Sequence, residues 1–225
     1  TLTLGGTQTG TGATTVSAGT VSVATQGNLL GGAITLSGGN LSITGAATIT
    51  QAITLSSAAT IDNSAAVTLS GVVSGAGTLT KAGSGALTLS GVISGSGNFA
   101  KTGAGTLTLG GTNTYTGTSS ITGGMVKVGS DSNLGAGAIT LNGNGWLGVT
   151  ATTTIDNAII LNSSPAVIDV SSGAVATLTG VIGETGGSRG LNKSGAGTLV
   201  IGADATYTGV TNLNGGVFEL AATRT

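Results

Sequence analysis

The sequence predicts an all-β fold of the solenoid kind, in which the chain winds through coils of about 20 residues and strands of successive coils pair in parallel. Three observations predict it. The phrase Lys-x-Gly-x-Gly-x-Leu-x-Leu begins at Lys81 and Lys101, a step of 20 residues, and returns at Lys193 with Ile201 in its last place. Such a step is too short for a domain and fits one coil. Within short runs the apolar residues alternate with period two: Leu2 and Leu4, Ile34 and Leu36, Leu87 and Leu89, Leu107 and Leu109 point one way, and the intervening Thr the other. The composition is that of strands and turns, with Val, Ile, Leu, Thr, Ser and Asn throughout, 44 Gly and 1 Pro among 225 residues. A narrow aliphatic interior also explains why aromatics are only 2% and charged residues 6% of the chain, against a usual charged share of about 25%.

The elements follow in order. The opening at residues 1–23 returns at 106–128, an offset of 105, and Gly32-Ala33-Ile34-Thr35-Leu36 returns in the same register at Gly137-Ala138-Ile139-Thr140-Leu141. Thr60-Ile61-Asp62-Asn63 returns at Thr154-Ile155-Asp156-Asn157 with an offset of 94, and a third opening starts at Thr198, 92 residues after Thr106. Gly71-Val72-Val73-Ser74-Gly75 recurs as Gly91-Val92-Ile93-Ser94-Gly95, so an extra coil near 81–101 accounts for most of the difference between the long offsets. In the phrases VSV, VKV and FEL, Ser22, Lys127 and Glu219 share one position. Only solvent accepts all three, so Val126, Val128, Phe218 and Leu220 face inward. Strands end at Gly-x-Gly or Gly-Gly turns. Some 11 coils at ~4.8 Å make a rod roughly 50 Å long. Residues 1–225 read as one continuous solenoid segment, expected to be part of a longer chain. A β-sandwich or barrel would instead show hairpin turns every ~8–12 residues and no fixed period.

Composition also bounds function. A net charge of −1 and six scattered basic residues provide no patch for phosphate, which argues against a nucleic-acid partner. No apolar run approaches the ~18 residues of a membrane helix. The absence of Cys permits an extracellular location, and the absence of His leaves no Ser-His pair and no His-based metal site. No cofactor is implied.

The stretch from Ser94 to Leu141, through Lys101, Gly103, Gly105, Leu107, Leu109, Asn113, Tyr115, Gly117, Ile121 and Val126, resembles the passenger-associated transport repeat of bacterial autotransporters. A second copy runs from Gly190 to Leu220, with Lys193, Gly195, Gly197, Leu199, Tyr207, Gly209 and Phe218, and departs at Ala205, where Asn is expected. The N-terminal copy has Gln8 and Gly10 in place of Asn113 and Tyr115. The resemblance implies a right-handed, single-stranded parallel β-helix in a secreted passenger, exported through a C-terminal outer-membrane barrel that the sequence does not contain. It implies a repeat that assists export and folding, forms a stalk and carries no catalytic residues. The expectation is a non-enzymatic stalk or adhesin segment at the bacterial surface. Its partners would be a host or neighbouring-cell glycan or protein, or itself, and the barrel would be its link to the membrane. The alternative is an extracellular filament assembled by head-to-tail stacking, suggested by the similar openings at 1 and 106. A polysaccharide-active β-helix enzyme is a more distant one.

Three residues stand out as candidate surface contacts: Lys81, Lys101 and Trp146. Lys81 and Lys101 could form a cationic ladder for an anionic glycan or lipid. Like charges on neighbouring coils repel, so the lysines, Lys193 included, read as exposed turn residues that discourage edge pairing. Trp146 could be a stacking platform for carbohydrate, but the offset of 105 aligns it with the inward Leu41, which favours packing. Asp62 and Asp156 lie four or five coils apart, too far for the ~5–9 Å of a glycosidase pair; with Asn63 and Asn157 they read as turn residues. Asp131, Asp169, Glu184, Asp204 and Glu219 are scattered. Gly143 to Gly148 match G-x-G-x-x-G, but a β-rich run follows where a dinucleotide site needs a helix. Tyr115 and Tyr207 read as turn covers. The Thr-x-Thr phrases at Thr1, Thr9, Thr106 and Thr114 could form an ice-binding array if they held one face of every coil. They read instead as skipping coils and changing sides.

Overall fold

The computed structural model describes residues 1–163 and 165–221 and is a parallel β-solenoid of about 11 turns. Its strands stack in four columns, and every pairing is parallel. The first face carries Leu2–Leu4, Thr20–Val23, Asn40–Ile43, Ala59–Asn63, Leu79–Ala82 and Phe99–Lys101, and ends at Ile159–Leu161 and Ile182–Glu184. The second carries Ala47–Ile49, Val67–Leu69, Leu87–Leu89 and Leu107–Leu109, and later Ala166–Val170, Leu191–Ser194 and Thr211–Leu213. Between these groups, the long strands Ser119–Val128 and Ile139–Val149 turn the corner from the first face to the second, which joins both into one 17-stranded sheet. A third face exists only early, from Thr14–Val16 to Ile93–Ser94. A fourth exists only late, from Thr153–Ile155 to Val217–Leu220.

Alternation fills the interior. Val21, Leu41 and Ile61 stack in register on the first face, and Ile121, Leu141 and Leu161 continue the same column. These side chains are almost wholly buried, each contributing roughly 1.5–3 kcal/mol. Val126 and Val128 are buried as their phrase predicts, and Phe218 and Leu220 pair with the interior positions Leu199 and Ile201. At the corner held by Gly71, Gly91 and Gly111, backbone rests directly on backbone. A Cβ on Gly91 would overlap the carbonyl oxygen of Gly71, so only glycine fits.

Two features of the long repeat were not anticipated. The Asp62 and Asp156 phrases, matched in sequence at an offset of 94, occupy different faces: Ile61 is on the first and Ile155 on the fourth. Their likeness reflects the same strand-to-turn chemistry and not an equivalent place in the coil. The second feature is an exchange of size. In the copy at 106–128, the buried Tyr115 ring lies 6.3 Å from that of Phe99. A Cβ on Gly135, one coil on, would sit 2.5 Å from the Tyr115 ring. In the first copy the bulk moves one coil along: position 10 is Gly, and Leu30 occupies the place of Gly135, its Cδ2 3.0 Å from where a Gly10 Cβ would be.

Candidate functional site

Lys81 and Lys101 are not surface residues. Both, and Lys193 with them, are fully buried. Each follows an inward residue by two positions (Leu79, Phe99 and Leu191), so strand alternation points it into the core. Lys81 and Lys101 stack on each other within the aliphatic column, between Ile61 and Ile121. Their methylene stems replace aliphatic bulk there, and the ammonium groups reach the glycine corner. Lys81 Nζ donates to the carbonyls of Ala82 and Gly83. Lys101 Nζ donates to the carbonyls of Gly103 and Gly123, the latter at 3.0 Å. Lys193 Nζ donates to Ser194, Gly195 and Gly215 at 2.6, 2.8 and 3.0 Å. A buried ammonium is tolerable only with such partners. Burial lowers the pKa of all three: Lys101 falls to about 8, with Lys81 on the next rung adding to the shift. Asp62 opposes the shift at Lys81, and Asp169 opposes it at Lys193. The cationic surface ladder and the exposed turn lysine are therefore both excluded. The alternation signal was present in the sequence, and the expectation that charge sits outside overrode it.

Trp146 also departs from its expected place, in the opposite direction. It faces outward and is 38% exposed. Ile121 pairs with Leu141, but Gly123 pairs with Asn144, so one extra residue enters the second strand, with Gly143 at φ +50°. A one-residue slip turns every following side chain to the other side. Trp146 then pairs with the outward Met125 and Val167, while Leu147 takes the inward place beside Val126. The offset of 105 holds as far as Leu141 and becomes 106 beyond it. On the next outward column Lys127 and Asp169 flank Gly148, and Asn192 and Asn212 extend the Trp146 column, joined by a 2.8 Å hydrogen bond.

Several of the remaining polar groups hold corners. Asp62 is exposed, and it is Asn63 that bonds the Ala65 and Ala86 carbonyls, at 2.6 and 2.9 Å. Asn157 bonds those of Gly135 and Gly137, at 2.7 and 2.9 Å. Tyr115 and Tyr207 each bond the hydroxyl four residues on, Ser119 at 2.7 Å and Thr211 at 2.6 Å. The Glu184 carboxylate accepts from Thr208 Oγ1 and the Arg189 backbone, at 2.7 and 2.6 Å. The Thr208 and Arg189 backbone amides, with the Thr208 hydroxyl, hold its pKa below the usual carboxylate range. Asn28 and Asn133 are two further corner residues, which composition and motif do not single out. The Asn28 side chain accepts from the Ala24 and Thr25 amides and donates to Gly6. Asn133 repeats every one of these bonds 105 residues later, with Gly129, Ser130 and Gly111. The shared Asn-Leu pair was the available signal.

Among the described residues no three Asp, Glu, His or Cys side chains gather as a metal site would require. G-x-G-x-x-G lies within the strand Ile139–Val149 and opens no helix. Thr48, Thr68, Thr88 and Thr108 do stack in one outward column over four coils, so the threonines keep to one side more than their phrases suggested. Beside them Ala46, Ala66 and Ala86 floor a shallow trough of about 400 Å³.

The model of the passenger-associated-transport-repeat family matches residues 1–23, 79–97, 99–128 and 191–220. These include the N-terminal copy and the additional coil near 81–101. The chain is 36% identical over 111 residues to the adhesin BmaC autotransporter of Brucella suis biovar 1 (strain 1330). The match takes in 48% of this chain and 3% of that relative's length. No solved structure matches.

Proposed function

We propose that this chain, a run of autotransporter passenger repeats, is a non-catalytic stalk segment of a secreted, surface-displayed adhesin, with the outward face around Trp146 as its contact. One observation carries the reading. The interior is an almost unbroken aliphatic ladder, and its buried lysine side chains and the buried Asn63 and Asn157 are taken up in corner hydrogen bonds. The likeness to a relative named as an adhesin supports a role in attachment at the cell surface. The Trp146 face combines an exposed ring, the apolar flanks Met125 and Val167, and hydrogen-bonding groups on Asn192, Lys127 and Asp169. An exposed aromatic beside polar groups is the usual anchor of a binding surface.

The test is attachment of the purified chain to glycan arrays and to cell monolayers. Trp146→Ala should weaken attachment about tenfold or more without shifting the thermal midpoint, and Trp146→Phe should retain part of it. Equal attachment by all three proteins would remove Trp146 from the contact. Electron microscopy should show discrete rods, whereas long fibres with a ~4.8 Å axial repeat would replace the stalk with the head-to-tail filament. Cleavage of a polysaccharide would overturn the non-catalytic reading.

A further inference from the structure

We propose that the repeat lysine is an internal latch between consecutive coils, and that the repeat unit is the shortest piece of chain containing both of its halves. Lys101 and Lys193 bond the same relative positions. Each holds the carbonyl two residues on, Gly103 or Gly195, and the carbonyl 22 residues on, Gly123 or Gly215. Both downstream carbonyls belong to the first residue of a Gly-Gly pair whose second member is left-handed: Gly124 at φ +63° and Gly216 at φ +67°. One ammonium therefore fastens the corner of its own coil to the corner of the next.

Two of the four family matches follow the same boundary, while the match at 1–23, which aligns with 106–128, holds no lysine. Those at 99–128 and 191–220 each begin two residues before the lysine and end after the Gly-Gly strand, so each contains the whole latch. The match at 79–97 stops before position 103, and Lys81 bonds only its own coil, through Ala82 and Gly83. The carbonyl that would complete it, that of Gly103, is held by Lys101. Lys81 is a latch with one half, an internal control supplied by the molecule. A coil that ends at Lys101 or Lys193 leaves its ammonium short of a partner until the next coil is laid down. Leaving a buried charged donor short of a partner is costly, so the two coils form together.

Hydrogen exchange on the whole 225-residue chain, followed by mass spectrometry, tests this with Lys101→Met, Lys193→Met and Lys81→Met. Methionine keeps the volume and removes the donor. Lys101→Met should speed exchange about 10- to 100-fold over residues 122–128, and Lys193→Met should do so over 214–220. Lys81→Met should loosen its own corner alone. Lys101→Gln and Lys193→Gln, which keep a shorter donor, should fall between Lys and Met. Downstream exchange as slow as in the parent chain, Gln no better than Met, or Lys81→Met loosening the following coil as much as Lys101→Met would each overturn the latch. If Lys101→Met does not fold, the Lys193 pair still decides the question. It affects the last coils alone, and solenoid coils depend mainly on their neighbours.

Discussion

The early and late halves of the rod follow different rules. From Thr14 to Leu109 nearly every coil advances by 20 residues on each face it uses, as in Val67, Leu87 and Leu107, with an occasional 19 from Leu36 to Leu55. Beyond Ser119 the second face steps from Val126 to Leu147, Ile168 and Lys193, and the fourth steps from Thr153 to Ala176. In the strict half like stacks on like, glycine corner on glycine corner, and among residues 14–109 the one outward charge is Asp62. In the loose half the extra residues enter at corners, and the outside takes up Lys127, Asp131, Asp156, Asp169, Arg189 and Trp146. A constant step ties each corner to the one beneath it. Relaxing the step releases the surface for other uses while the interior ladder continues.

Deleting Gly143 should break this contrast most severely. It would restore the 20-residue step, drive Trp146 into the core and expel Leu147, at a cost above about 4 kcal/mol in urea unfolding. Deleting Gly187, where an added Cβ would meet nothing within 4 Å, should cost about 0.5 kcal/mol or less. Equal losses would mean that the bulge sets no register. A smaller effect concerns the exchange of size. Gly10→Tyr and Leu30→Gly should each destabilise by about 1–3 kcal/mol, and the double substitution should recover most of the loss. Strictly additive losses would show that the two coils do not share one space. The smallest effect is in pH. Lys101 has a pKa of about 8 when folded against 10.5 as its ordinary value. Between these values the folded chain binds fewer protons than the unfolded one, so stability rises with pH; below about 8 both states are protonated and the profile is flat. The thermal midpoint should climb by about 2–4 °C from pH 8 to 10, and Lys101→Met should reduce the climb to the part that Lys81 and Lys193 supply through their own lowered pKa values. A falling midpoint over that range in the parent chain would contradict the assignment.

Much of the fold was legible because a repeated step and a period of two are both local signals. Lys101 and Phe99 alternate as plainly as Leu107 and Leu109 do, so the inward lysine was legible too, and was hidden only by the rule that charges face water. Trp146 was not legible. A single residue inserted between Leu141 and Trp146 reverses its side, and neither composition nor spacing within the phrase marks it. The exchange of the third face for the fourth was equally hidden, since it depends on where corners fall around the coil and not on which residues alternate. Asn28 and Asn133 lay between, visible as a conserved pairing of two copies but without a chemical signature of their own.

The direction of the hydrogen bonds has a mechanical consequence. They run along the rod, coil to coil, as do the lysine bonds to Gly123 and Gly215. A pull along the axis therefore loads one coil at a time. Each coil that lets go converts about 5 Å of rod into about 70 Å of extended chain. Under sustained tension the structure would lengthen by paying out thread from its end, absorbing work at every step, while the coils still wound remained stiff.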